Sequence, residues 1–213
     1  MTDEKRRYTK KVRAELEEET RRRITESAME LHGTLGPSRT SVSAVAERAG
    51  VRRSTVYRHF PDEATLFEAC SGHWSTLNPP PDPAGWVGIE DPDERTRKAL
   101  GDLYAFYSRG EQMLANLLRD EATMRVVRER FAPYHRYLEA IRDQLLSGRG
   151  LRGRARTRVQ AAIGHALAFS TWRSLVRDQG MQGEETVDLM AMLIMAGCES
   201  PRRPTTPSGR QSS

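Results

Sequence analysis

The stretch AGVRRSTVYRHFPDE, residues 49–63, carries Arg52, Arg53 and Arg58 and no acid before Asp62; the acid-free run begins at Arg48. Gly50 supplies a left-handed corner that a Cβ would oppose, so one helix ends there and another follows. Val51, Val56 and Phe60 are spaced to dock the new helix on its neighbours. That leaves Arg52, Arg53, Ser54, Thr55, Tyr57, Arg58 and His59 for its outer surface. Such a surface either faces a polyanion or is the solvated side of a helical bundle.

The neighbouring residues favour the first reading. Upstream, VSAVAERA (42–49) places Val42, Val45, Ala46 and Ala49 on one side of a short helix, and Ser41 can cap it. AELEEETRRRITESAMEL (14–31) reads as a longer helix with the pairs Glu17–Arg21, Glu18–Arg22 and Glu19–Arg23 at i,i+4, and with Ile24, Ala28 and Leu31 on its apolar face. Downstream, Asp62 can cap a fourth helix, EATLFEACSGHW. Two short helices crossing closely at Ala46 and joined by a glycine corner form a helix-turn-helix pattern. In that motif the second helix enters the major groove of DNA and its first residues meet base edges.

Charge is distributed to match. The chain of 213 residues has a net charge of +5, with 14 Lys and Arg against 9 Asp and Glu in residues 1–61 and 20 of each in residues 62–213. Localised basic charge points to an anionic partner, most often nucleic acid. There is no 18-residue apolar run for a transmembrane helix and no apolar signal segment at the N-terminus, so the expected location is cytoplasmic. Cys70 and Cys198 stand alone, as buried thiols do in a reducing compartment. The five histidines lack metal-ligand spacing, GRGLRG (148–153) follows a helical segment rather than a strand, and no nucleophile motif is present. No catalytic residue, metal or cofactor is expected.

The remaining chain reads as all-α. Residues 77–92 hold four prolines within five positions and form a connection. Asp91, Pro92 and Glu94 restart a helix as cap, first position and capping-box acid. Helix then continues to residue 198, with interruptions near Gly110 and Pro133 and at 147–154 and 180–184. The last two long segments are 156–179 and 184–196. Leu189 to Ala196 is apolar almost all round and must be buried on more than one side, which implicates Ala162, Ala166, Leu189, Met190, Leu193 and Ile194 in a two-fold helical seam. Aromatic, Met and Leu side chains (Tyr104, Phe106, Tyr107, Met113, Leu117, Tyr134, Tyr137, Phe169 and Trp172, with His165 as a polar handle) are candidates for an apolar ligand pocket. The tail, 199–213, is polar and rich in Pro and Ser, and is expected to be disordered.

Residues 40–69, TSVSAVAERAGVRRSTVYRHFPDEATLFEA, closely resemble the DNA-binding domain of the tetracycline-repressor (TetR) family of bacterial regulators, with AERAGV and TVYRHFPDE carrying most of the match. With the preceding helix the resemblance spans residues 20 to about 72; beyond that only the all-helical layout agrees. It implies an arm (1–19), a helix-turn-helix domain (20–76), and a helical effector-binding and dimerisation domain (93–198). It also implies a homodimer on a palindromic DNA operator, most often a repressor released by a small-molecule effector; the few charges in residues 101–118, 134–146 and 165–172, mostly spaced as on a solvated face, lead to the expectation of a largely apolar, uncharged or weakly charged one. A helical carrier or enzyme that has lost DNA binding is the alternative. By match, Thr55 and Tyr57 are phosphate contacts through their hydroxyls, Arg53 and Ser54 base readers, and Arg58 and His59 backbone contacts. Two positions depart from the family pattern. Arg52 stands where a capping Ser or Thr is frequent, and Glu63 where a lysine is frequent. The basic arm (Lys5, Arg6, Arg7, Lys10, Lys11, Arg13) is a candidate replacement for that lysine.

Overall fold

The computed structural model describes residues 2–198, with side chains from residue 6 onward. The tail at 199–213 and the Lys5 side chain lie outside the described residues. These are helical, with no strand among them, in the order α1 (Thr2–Thr34), α2 (Val42–Arg48), α3 (Arg53–His59), α4 (Glu63–Leu77), α5 (Pro92–Glu121), α6 (Arg125–Leu146), α7 (Gly153–Leu167), α8 (Phe169–Arg173) and α9 (Gly183–Cys198). No helix among them is long and apolar enough to cross a membrane.

The first helix is longer than expected: the arm is its helical N-terminus rather than a separate tail. Its ion pairs also differ from the expected set. Arg22 bonds Glu19 and Glu26, Arg13 bonds Glu17, and Arg21 turns away to other work. Near Gly110 and Pro133, where breaks were expected, α5 and α6 run through. Gly110 is there for closeness: a Cβ at this position would sit 3.0 Å from the Trp74 ring. Conversely, segment 156–179 is not one helix. Ala168 is extended (φ −71°, ψ 131°), and a π-helical turn at Ser174–Asp178 follows α8. An unbroken helix with Val159, Ile163 and Ala166 inside would next turn Ser170 inward. The break leaves Ser170 exposed and buries Phe169 and Trp172 instead.

Two compact units result among the described residues, 2–82 with 102–137, and 83–101 with 138–198. They divide the chain differently from the expected boundary at 77–92, because the second half of α5 and the first half of α6 pack with α1 and α4. In the first unit, α2 is capped by Ser41, and Val42, Val45, Ala46 and Ala49 are all buried. Gly50 takes φ 65°, and Asp62 and Thr65 form a reciprocal capping box at the start of α4. In the second unit, α7 packs on α9. The Arg149 side chain there is almost fully buried, bonded to Asp93 (2.6 Å), the Pro92 carbonyl (2.9 Å) and Thr96 (2.8 Å). The GRGLRG segment is thus an interhelix loop, with Gly148 and Gly150 left-handed and Arg149 as its anchor.

The end of α1 is held by α5. The buried Asn116 amide donates to the carbonyls of His32 (3.0 Å) and Gly33 (2.8 Å), which a helix C-terminus leaves without partners. Arg119 donates to the Leu35 carbonyl (3.0 Å), and the buried Asp120 accepts from the Ser38 amide (2.9 Å) and from Arg119 (2.8 Å). Gly36 makes the approach possible: at φ 95°, a side chain there would collide with the Arg119 guanidinium. Burial raises the pKa of Asp120, but the Arg119 and Ser38 hydrogen bonds outweigh it and hold the carboxyl below its ordinary range. Removing Asn116 as Asn116→Ala strands one buried and one half-buried carbonyl and should cost about 1–3 kcal/mol of stability, read by urea denaturation. Asp120 contributes its full stabilisation above the ordinary Asp range, and that contribution should fade as pH falls through its lowered pKa; Asp120→Asn should lose that fade.

Candidate nucleic-acid interface and ligand cavity

The third helix starts at Arg53, with Arg52 as an N-cap residue that makes no side-chain cap bond. The missing Ser or Thr therefore does not delay the helix; its first turn closes through backbone bonds from Thr55 and Val56 to the Arg52 carbonyl (2.8 and 3.3 Å). Val56 and Phe60 are fully buried and Val51 is half-buried, so the helix is docked on one side only. Arg52, Arg53, Ser54, Tyr57 and Arg58 are exposed, while Thr55 is half-buried. Arg53 donates to the Tyr57 hydroxyl (3.2 Å) and lies 5.5 Å from its ring centre, so the two side chains form one exposed unit. Glu63 is exposed in the first turn of α4, opposing the local positive charge.

His59 differs from the others. Its carbonyl accepts from Arg21 (2.7 Å), whose guanidinium also covers the Phe60 ring at 4.2 Å. Its Nε2 is buried without a partner. Burial, then the Arg58 and Arg21 cations, lower its pKa, so the ring is neutral at neutral pH. Its place is at the junction of α3 with α1.

A cavity of about 300 Å³ lies within the same unit. Its walls come from Met29 and His32 of α1 and from Phe67, Cys70, Ser71 and Trp74 of α4. Opposite stand Phe106, Met113, Leu114 and Leu117 of α5 and Arg130, Phe131, Tyr134 and Tyr137 of α6. Of the candidate pocket residues, Phe106, Met113, Leu117, Tyr134 and Tyr137 line it. Tyr104 and Tyr107 are buried behind it, Tyr107 accepting from the Tyr134 hydroxyl at 3.0 Å. His165, Phe169 and Trp172 line no part of it and belong to the other unit, where Phe169 and Trp172 pack on each other and His165 lies beside Thr171. The α4 wall was not anticipated. Its signal was present as the i, i+3, i+4, i+7 stripe of Phe67, Cys70, Ser71 and Trp74 in a helix already assigned to the helix-turn-helix.

Burial sets the chemistry of this wall. The His32 Nδ1 lies 3.2 Å from the Cys70 sulfur, and the thiol donates to the Phe67 carbonyl. Desolvation lowers His32 to about 4, against the pull of Asp120, and raises Cys70 to about 12, so both are neutral. The unfolded chain therefore binds a proton between pH 6.5 and about 4 that the folded His32 refuses. Stability should be complete above pH 6.5 and fall across that window, and His32→Gln should flatten the slope, measured by denaturation at stepped pH. Arg21→Met, which removes the bond to His59 and the cover on Phe60, should cost about 1 kcal/mol and speed amide exchange in α3.

Comparison with known proteins agrees with this arrangement. Residues 24–70 match the bacterial regulatory proteins of the tetR family. The regulator AcrR of Shigella flexneri is 42% identical over 50 residues, 24% of this chain and 23% of that protein, so the chain matches about a quarter of that relative's length. An HTH-type transcriptional repressor of Mycobacterium tuberculosis is 28% identical over 157 residues, 73% of each chain. Among solved structures, a TetR-like transcriptional regulator from Rhodococcus superposes with a TM-score of 0.59 at 18% identity, covering 84% of this chain and 94% of that one. NalD, the secondary repressor of the MexAB-OprM multidrug efflux pump in Pseudomonas aeruginosa, superposes with 0.55 at 22%, covering 86% and 97%. The docked helix-turn-helix and the sequence match over residues 24–70 together mark this region as a DNA-binding region of the tetR-family type found in bacterial regulatory proteins.

Proposed function

We propose that the chain is a cytoplasmic repressor that binds a palindromic operator as a homodimer and is released by a small molecule in the cavity. The observation that carries this reading is the exposed, acid-free face of α3 in the same compact unit as a largely apolar cavity. The mycobacterial relative's name, a repressor, supports the sign of regulation.

The mechanism follows from connectivity. The α4 helix forms one wall of the cavity and joins α3 through Pro61 and the Asp62–Thr65 cap alone. A ligand between α4 and the α5–α6 wall displaces α4, and the displacement passes to α3. The release then reflects a difference in ligand affinity between the two positions of α4. Arg53 and Ser54 read bases at the helix start, and Thr55, Tyr57 and Arg58 hold phosphates. His59 acts on the interface through the helix end that it anchors.

The dimer seam lies on α7 and α9. Ala166, Met190 and Ile194 are already buried within the single chain, so they serve its core. Met192 and Leu193 are each 52% exposed, and Leu189 and Ala162 are half-buried. This uncovered stripe is the surface that a second copy would cover. Leu193→Glu should yield a folded monomer with weak operator binding, whereas Ile194→Glu should unfold the chain; a Leu193→Glu variant that sediments as a dimer would move the interface elsewhere.

On DNA, Arg53→Ala should cost about 1–3 kcal/mol on the preferred operator and relax preference at one base pair per half-site. Tyr57→Phe should weaken binding to every sequence alike. Because the two side chains are bonded to each other, the double variant should lose less than the sum. Gel-shift titrations against a panel of operator variants measure all three, and an unchanged ranking for Arg53→Ala excludes its reading role.

A further inference from the structure

We infer that the cavity selects an apolar carboxylate, with Arg130 gripping the anionic head. This rests on the reading of the cavity as the effector site. Among the lining groups, Arg130 is the one that carries charge at neutral pH, and no acid lines the cavity. The imidazole of His32 and the thiol of Cys70 are neutral and engaged with each other. The tyrosine hydroxyls are turned to protein acceptors, Tyr134 to Tyr107 (3.0 Å) and Tyr137 to the Pro81 carbonyl (2.8 Å). The half-buried Arg130 donates its Nε to the Ser71 hydroxyl (3.0 Å), which in turn donates to the Glu68 carbonyl (3.1 Å). That bond fixes the guanidinium plane and leaves its two Nη groups without an acceptor among the described residues. A planar fork held by one edge matches a carboxylate.

The remaining walls are mostly aromatic and aliphatic, and the two polar side chains among them, Ser75 and Asn78, donate to the carbonyls of Ser71 (2.9 Å) and Trp74 (3.2 Å). A neutral polar ligand finds few open partners in them, and a cation meets an uncompensated like charge. An apolar body with a single carboxylate satisfies both the walls and the guanidinium. This narrows the expected effector from uncharged or weakly charged to anionic.

The test uses the full-length protein with decanoate and 2-naphthoate against decanamide and 2-naphthamide, by titration calorimetry, with Trp74 emission as a local reporter for the aliphatic pair. The aliphatic and aryl arms separate the two kinds of body that the walls accept. At least one carboxylate should bind about tenfold to a hundredfold tighter than its amide, as a hydrogen-bonded charge implies. Arg130→Gln should abolish that preference while amide binding, which also reports folding, stays unchanged. Arg130→Lys should restore part of it. Amides that bind as tightly as carboxylates, a preference that survives Arg130→Gln, or no binding by any of the four would overturn the inference. Operator release is measured separately with the same ligands. A carboxylate that binds through Arg130 yet leaves operator affinity unchanged overturns the effector reading alone; amides that bind equally well and release the operator overturn only the charge selection.

Discussion

The clamp of α5 on the end of α1 is the contact on which the first unit depends. Helix C-termini leave carbonyls without partners, and water commonly satisfies them. Here Asn116 and Arg119 do so instead, and Asp120 accepts from the Ser38 amide in the loop that follows, all across more than 80 residues of sequence. The last turn of α1 and the loop leading to α2 are thereby tied to α5, a helix that also lines the cavity. One set of hydrogen bonds fixes where the helix-turn-helix begins and where one cavity wall stands. Polar groups buried in such a network are costly to leave half-satisfied, so the connection tends to hold or fail as a whole.

By contrast, the join between α3 and α4 is local. Phe60 and Val56 dock α3, Arg21 covers Phe60, and Asp62 with Thr65 starts α4 afresh. A short, capped corner of this kind transmits rotation well because it has few backbone dihedrals to absorb it. The helix-turn-helix therefore sits between a stiff tie through α1 and a direct link through α4, both bordering the same cavity.

What could be read from sequence follows the range of the forces involved. The caps at Ser41 and Asp62, the corner at Gly50 and the core positions Val42, Val45, Val56 and Phe60 are set by residues within a few positions of one another, and all are found in place. The cavity is long-range. Half of its expected lining, Phe106, Met113, Leu117, Tyr134 and Tyr137, was named from the aromatic and apolar content of these helices. The same criterion also drew in Phe169 and Trp172, which the break at Ala168 turns into an ordinary core. It missed Trp74 and Arg130, because nothing local announces that α4 and α6 stand opposite each other. The buried Arg149 was equally silent: in sequence it is one arginine of a basic, glycine-rich loop.

The uninterrupted course of α1 has a consequence for how the protein finds its target. Thirty-three helical residues extend about 50 Å, so Arg6, Arg7 and Lys10 are carried on a rod well beyond Ile24, the first buried core residue of that helix. Among the described side chains none of the three has an ion-pair partner along it, whereas Lys11 and Arg13 are paired with Glu15 and Glu17. Cations held at a fixed spacing on a rigid rod lose little conformational entropy when they meet a polyanion. Each that does so displaces a condensed counterion and adds about 0.9 to the exponent of salt dependence. In the proposed reading, the length of this one helix thus bears on the ionic strength at which the protein leaves non-specific DNA, independently of base contacts on α3.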